Sequence, residues 1–115
     1  MTEVISFETW EKDGITIINV SGRMDATTSR EIESEINRLI DSGIRKVVFN
    51  GKELIYISSS GLRVILAGMK RLRQDGGEMA LASLQAAPLE VIRMTGFDRI
   101  FKIFDSTEVA ISSIS

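Results

Sequence analysis

The sequence contains no cysteine and no histidine. Without cysteine, disulfide bonds and thiolate metal sites are excluded, and a reducing compartment is the natural setting. Without histidine, the chain lacks the commonest general base and the commonest side-chain metal ligand. It also lacks a phosphate-cradling glycine loop and any motif that pairs a nucleophilic serine with a base. We therefore expect no metal, no cofactor and no enzymatic activity.

The sequence has neither a charge excess nor a long apolar run. Its 115 residues include 14 basic and 16 acidic side chains, for a net charge of -2. A nucleic-acid partner would favour a basic excess on one face, so we expect none. No apolar run approaches the roughly 18 residues of a membrane span, and the acidic start of the chain is unlike a signal peptide. These features predict a cytoplasmic protein without membrane association, formed by one domain over residues 1–115.

Two β-prone segments begin the chain. Val4–Trp10 alternates loosely, and Ile15–Val20 follows after Asp13 and Gly14, a dipeptide typical of hairpin turns. The two strands are therefore expected to be antiparallel neighbours, with Gly22 closing the second.

Helical patterns alternate with strands in the rest of the chain. Thr28 and Glu31 fit a capping box for a first helix, predicted from about Ser29 to Ser42, with Gly43 as its C′ residue. The further predicted elements are a short strand Arg45–Asn50, a loop over 51–57, a helix from Leu62, a strand Met79–Leu84, a helix with Pro88 in its first turn, an edge strand Ile100–Phe104, and a last helix capped by Asp105 and Glu108 with Val109, Ala110 and Ile114 facing inward. This order predicts an α/β fold, with a mixed, mostly parallel sheet of four to five strands and about four helices.

Three consecutive serines, Ser58, Ser59 and Ser60, stand between the third strand and the second helix. A serine at a helix start commonly caps free N–H groups, and this structural role is the more frequent one. One cap needs only one hydroxyl, however, and Gly61 leaves the backbone open to close approach by another molecule. Because a helix N-terminus also receives an anion well, we predict that one serine accepts phosphate and that this controls a partner protein.

The topology predicts where these serines lie. The carboxyl ends of parallel strands meet at one edge of a sheet, where ligands and partners usually dock. Asp25 follows the second strand and the serines follow the third. We therefore expect Asp25 and the serines to share one edge of the molecule, although a solvated turn is an equally good interpretation of Asp25.

Residues 46–68 resemble the core of the STAS domain, the family of bacterial anti-sigma factor antagonists. The family signature is a strand, a loop with an apolar pair, and an Asp-Ser-Ser/Ala-Gly-Leu segment that opens a helix. Ser58–Leu62 is similar to that segment, with Ser58 in place of Asp. Gly22–Ala26 is similar to the family's Gly-x-Leu-Asp segment, and Gly76–Met79 and Met94–Phe101 resemble later landmarks. The likeness extends over nearly the whole chain.

The resemblance implies a partner-switching function. A member of this family binds an anti-sigma factor that is also a serine kinase, and this frees the sigma factor. The kinase phosphorylates the first serine of the motif, which here is Ser59, and a phosphatase of the PP2C type restores it. Because Ser58 replaces the family's Asp, Ser58 and Ser60 remain alternatives; if Ser58 took over the cap, Ser59 would be free. The residues predicted to bind the partner are Asp25, Ser58, Ser59, Ser60, Gly61, Leu62 and Arg63.

Other interpretations stay open from the sequence alone. The chain is consistent with a partner-switching regulator of a non-sigma target, with a small nucleotide-binding or hydrolytic module, and with a scaffold in a larger assembly. We expect a monomer or weak dimer. For Leu62 a place in the core stripe of its helix is the favoured interpretation. Trp10 and Tyr56 are predicted to be core or strand aromatics rather than interface anchors, and the cluster Lys70, Arg71 and Arg73 a solvated helix end.

Overall fold

The computed structural model describes residues 5–115, so the prediction that the first strand includes Val4 lies outside it. Strand β1 (Ile5–Lys12) and strand β2 (Ile15–Met24) form the predicted antiparallel hairpin. Asp13 and Gly14 both have positive φ, 56° and 79°. Positive φ at both central residues gives the turn a twist that matches the flanking strands.

The other elements alternate between helix and strand. They are α1 (Ser29–Asp41), β3 (Lys46–Ile57), α2 (Ser59–Gln74), β4 (Glu78–Ala82), α3 (Ala86–Met94), β5 (Lys102–Phe104) and α4 (Thr107–Ile114), with a 3₁₀ turn Phe97–Arg99 before β5. The strands lie in the order β1-β2-β3-β4-β5, and all neighbouring pairs after the hairpin are parallel. The predicted α/β fold with a mixed, mostly parallel sheet is therefore confirmed.

Two apolar clusters lie on opposite faces of the sheet. Helices α1, α2 and α3 contribute to one cluster, together with the strand residues Ile18, Phe49 and Leu81. Among residues 5–115, α4 is the one helix on the other face, where its apolar side packs against residues such as Ile17 and Val48. Successive strand residues point to opposite faces, so neighbours such as Ile17 and Ile18 belong to different clusters. Helix α2 and helix α4 therefore lie on opposite sides of the molecule.

Strands β2 and β3 are longer than predicted. The segment 51–57 is not a loop: β3 runs on to Ile57, which pairs with Met24 of β2. Gly22 does not close β2 but lies within it, with φ of 102° and a register shift beside it. Such shifts are typical of β-bulges, which bend a strand without ending it. Beyond Asn50, β3 continues to pair with β2 alone, because β4 stops at Ala82.

Several predicted ends and contacts are corrected. Helix α2 begins at Ser59 rather than Leu62, β4 ends before Leu84, and β5 begins at Lys102. Asp105 does not cap α4; the Ser106 hydroxyl does, accepting from the Val109 N–H at 3.2 Å. With the cap one residue later than expected, Val109 is 52% exposed and Ile111 is buried in its place.

The basic cluster at the end of α2 is also more ordered than predicted. Arg71 donates to Asn37 at 3.0 Å and pairs with Asp41, both on α1. Arg73 donates to the backbone carbonyl of Ile100 at 3.2 Å. Two members of the cluster therefore connect α2 to neighbouring segments. No helix between residues 5 and 115 combines the length and hydropathy needed to cross a bilayer.

Candidate functional site

The paired ends of β2 and β3 bring the Asp25 loop and the serine run together. Met24 and Ile57 pair across the two strands, so Asp25 and Ser58 leave the sheet side by side. The Ser58 N–H donates to the Met24 carbonyl at 2.8 Å and fixes this junction. The prediction that Asp25 and the serines share one edge of the molecule is confirmed.

Ser58 is the N-cap of α2. Its backbone is extended, with φ of -92° and ψ of 174°, and its hydroxyl accepts from the Gly61 N–H at 3.2 Å. Its carbonyl accepts from the Leu62 N–H at 3.0 Å. The Ser58 hydroxyl therefore satisfies a donor that the first turn of a helix leaves unpaired. This is the arrangement considered above, in which Ser58 takes over the cap and Ser59 is not needed for it.

Ser59 is the first residue of α2, and its side chain is exposed, whereas Ser60 is half-buried. The Ser59 hydroxyl makes no hydrogen bond to any residue between 5 and 115. The first turn of α2 also contains no acidic residue. The partial positive charge of the helix N-terminus is therefore not offset within this turn, and an anion attached to Ser59 is stabilised there.

Gly61 and Leu62 face inward. A Cβ on Gly61 would lie 2.8 Å from Ile57 Cγ1, 3.1 Å from Met24 Cβ and 3.2 Å from the Met24 carbonyl oxygen. Gly61 thus permits close approach of the protein's own strands, which corrects the expectation that it opens the backbone to another molecule. Leu62 is 1% exposed and packs in the core, so its side chain does not reach the contact surface predicted for it.

Asp25 holds the N-terminus of α1. One carboxylate oxygen accepts from the backbone N–H groups of Thr27 and Thr28, both at 2.9 Å. The Thr28 hydroxyl accepts from the Asp25 N–H at 2.9 Å and donates to the Arg23 carbonyl at 2.6 Å. The predicted capping box of Thr28 and Glu31 is therefore wrong, because the Thr28 side chain turns back to the end of β2 and makes no cap.

These contacts lower the pKa of Asp25. The backbone N–H of Thr28 has the largest effect, partial burial opposes it, and the Thr27 N–H adds to the lowering. A carboxylate that accepts N–H donors is stabilised in its charged form. Asp25 is therefore ionised at neutral pH and well below it, and it presents a fixed negative charge beside the serines.

We predict that Asp25 makes the stability of the protein depend on acidic pH. The contribution of a carboxylate with a lowered folded-state pKa is present above the unfolded pKa, about 3.9, and is lost as pH falls through the folded pKa. Urea unfolding of wild type and Asp25→Asn should show a stability difference at pH 7 that narrows at pH 3. A difference of the same size at both pH values would contradict the assignment.

The strand ends also expose side chains that were not predicted to bind a partner. The Arg23 guanidinium lies 4.4 Å from the centroid of the Tyr56 ring. Such stacking of a cation on an aromatic face is favourable. Tyr56 is 38% exposed and Ile55 is 52% exposed, so these residues form an accessible apolar and cationic patch. Tyr56 and Trp10 are strand aromatics as predicted, but neither is buried in the core.

Comparison with known families gives one domain-length match. The STAS domain model matches residues 6–110. The chain is 39% identical over 98 residues to BtrV, a candidate anti-sigma factor antagonist of Bordetella bronchiseptica, covering 85% of this chain and 84% of that protein. It is 30% identical over 102 residues to the anti-sigma F factor antagonist of Paenibacillus polymyxa, covering 88% of this chain and 87% of the relative.

A solved structure shares the architecture. The crystal structure of an anti-sigma factor antagonist from Mycobacterium paratuberculosis superposes with a TM-score of 0.88. The match covers 96% of this chain and 93% of the other, at 22% identity. At this identity the likeness establishes the fold, and the sequence relatives carry the functional comparison.

Proposed function

This chain belongs to the STAS domain family. We propose that it is an anti-sigma factor antagonist and that phosphorylation of Ser59 controls its binding to its partner. The partner is an anti-sigma factor that is also a serine kinase, and a PP2C-type phosphatase reverses the modification. The protein acts by binding rather than catalysis, as a single domain over residues 1–115, in the cytoplasm and as a monomer or weak dimer. Two sequence relatives that are named anti-sigma factor antagonists support the first part of this proposal.

The observation that carries the proposal is that two adjacent serines have different roles. Ser58 uses its hydroxyl and its backbone N–H to join α2 to the end of β2. Ser59, one residue later, is exposed, and its hydroxyl makes no hydrogen bond among the described residues. A kinase can therefore modify Ser59 without removing a contact on which the fold depends.

The proposed contact surface consists of the exposed and half-buried groups around Ser59. It comprises Asp25 and Ser58, the side chains of Ser59 and Ser60, and the exposed Arg63 one turn along α2. Arg23, Ile55 and Tyr56 lie at the ends of the same two strands and are exposed, so they are further candidates for contact with a partner. Aromatic and arginine side chains are the residue types that most often dominate binding energy.

Phosphate has opposite consequences for the fold and for the complex. It adds a charge of about -1.5 to -2 at neutral pH. In the free protein this charge lies at a solvated helix N-terminus, where it is favourable. In the complex it would have to be desolvated against the partner, which is unfavourable unless new donors pair with it. One modification therefore releases the partner while the domain stays folded.

We predict that Ser59→Ala abolishes kinase-dependent phosphorylation and leaves partner binding intact. Phosphopeptide mass spectrometry after incubation with the cognate kinase measures the first effect, and release of sigma factor from its complex with the anti-sigma factor measures the second. Ser60→Ala is the matched control, because it removes a neighbouring hydroxyl and should be modified like wild type. Phosphate retained on Ser59→Ala would contradict the assignment, and binding without release of any sigma factor would indicate a different target.

A further inference from the structure

Arg63 is an exposed cation on α2 whose charge is not used by the fold. It makes no salt bridge or side-chain hydrogen bond to any residue between 5 and 115. The other arginines nearby are engaged: Arg23 stacks on Tyr56, and Arg71 pairs with Asp41. A long cationic side chain one turn from the exposed serine is therefore available to bind an additional group.

The register of α2 directs Arg63 towards Ser59. The two residues are four positions apart in one helix, and side chains at this spacing are neighbours, about 5–6 Å apart at Cβ. Helical side chains lean towards the N-terminus, so an arginine covers the turn that precedes it. The favourable order for such a pair places the anion on the N-terminal side. Ser60 lies three positions before Arg63 but is half-buried.

We propose that Arg63 is the intramolecular receptor for phosphate on Ser59, which deepens the proposed function and rests on it. Its guanidinium binds the phosphate oxygens of the modified side chain, as arginine forks commonly do. In the unmodified protein the same guanidinium faces the partner. Phosphorylation then changes the contact surface twice, because it adds an anion at Ser59 and engages the cation at Arg63.

The pKa of the phosphate measures this pairing directly. The second ionisation of phosphoserine occurs near pH 6, and a cation that binds the dianion lowers that pKa. An exposed helical ion pair of about 0.3–0.5 kcal/mol corresponds to a shift of roughly 0.3 pH units. Arg63→Gln should therefore raise the second pKa of phosphoserine 59 by about 0.3 units, and Arg63→Lys should restore most of the difference.

The experiment uses full-length protein with phosphoserine installed at position 59 during synthesis, titrated by ³¹P NMR. Lys70→Gln is the matched control, because it removes an exposed cation of the same helix. Lys70 lies roughly 16 Å from Ser59 along the helix axis, beyond the Debye length at physiological salt. A shift in Arg63→Gln and none in Lys70→Gln supports the receptor. Equal titration of wild type and Arg63→Gln, or equal shifts in both variants, overturns it.

The readout separates this inference from the proposed function. The phosphate is installed without a kinase, so the titration reports on Arg63 even if the cognate kinase modifies another serine. Failure of the kinase to modify Ser59 would therefore overturn the proposed function alone. An unshifted phosphate pKa in Arg63→Gln would overturn only the proposal that Arg63 binds the phosphate.

Discussion

Phosphorylation of Ser59 is expected to weaken binding to the anti-sigma factor by more than about a hundredfold, which corresponds to roughly 3 kcal/mol. The phosphate would lie at the centre of the proposed contact surface, where it must lose hydration. In the free protein the same group is solvated at the start of α2. The melting temperature of the phosphorylated protein should therefore stay unchanged or rise slightly, since an anion at a helix N-terminus contributes about 0.3–1 kcal/mol to stability.

Isothermal titration calorimetry with phosphoserine at position 59 measures this loss. Phosphoserine at Ser112 is the matched control, because Ser112 is exposed on α4, on the opposite face of the sheet. That protein carries the same added charge and should bind like the unmodified one. Equal losses of affinity at both positions would indicate a general effect of net charge. No loss of affinity with phosphoserine at position 59 would contradict the proposed switch.

Replacing Gly61 with alanine is expected to lower the free energy of unfolding by about 1–2 kcal/mol. The new Cβ would lie 2.8 Å from Ile57 Cγ1 and within 3.2 Å of the Met24 carbonyl oxygen. Neither atom is the free end of a flexible side chain, so the strand ends must shift. The substitution keeps the Gly61 N–H, so the hydrogen bond to the Ser58 hydroxyl is not the cause.

The sign of this change distinguishes the two interpretations of Gly61. If Gly61 only left room for a partner, alanine would stabilise the helix by up to about 1 kcal/mol through its higher helix propensity. Urea unfolding gives the sign directly. Ala67→Gly, at an exposed position of the same helix, calibrates the propensity effect and should cost about 1 kcal/mol. A more stable Gly61→Ala protein would show that a Cβ at position 61 does not clash with the strand ends.

The features predictable from the sequence are those in which a local signal agrees with the final packing. Asp13 and Gly14 give a tight turn because both tolerate positive φ, and the hairpin forms as expected. Gly43 ends the first helix with φ of 103°, as a C′ glycine does. The first helix, predicted from about Ser29 to Ser42, runs from Ser29 to Asp41. In each case the residues involved are near one another in the chain.

The second half of β3 was not predictable in the same way. Its buried residues Leu54 and Ile57 are three positions apart, because Ile55 interrupts the alternation where the register shifts against β2. A spacing of three does not resemble a strand, whose side chains alternate with a period of two. The pairing partner lies some thirty residues earlier, so no local pattern shows that a strand is present. This unpredicted extension is the part of the fold that positions the candidate site.

The roles of the three serines also depended on tertiary structure. The sequence offers three similar hydroxyls, and the resemblance to the family marks Ser59 without explaining how the fold separates it from Ser58. The separation is set by the point at which β3 ends, where the Ser58 N–H bonds to the Met24 carbonyl. Contacts of Gly61 with Met24 are similarly invisible in the sequence, because they join segments from different parts of the chain.

The capping of α2 by a serine has an electrostatic consequence. In the family motif an aspartate occupies this position, and it would give the helix start a permanent negative charge. Here Ser58 caps the helix with an uncharged hydroxyl, and the first turn of α2 contains no acid. The first turn of α2 is therefore uncharged before modification, with Asp25 as a fixed anion in the adjoining loop, and phosphate on Ser59 would be the first anion within the turn itself. An aspartate at position 58 would already place a negative charge in the turn, so the proposed modification changes the local charge by a larger proportion when that residue is serine.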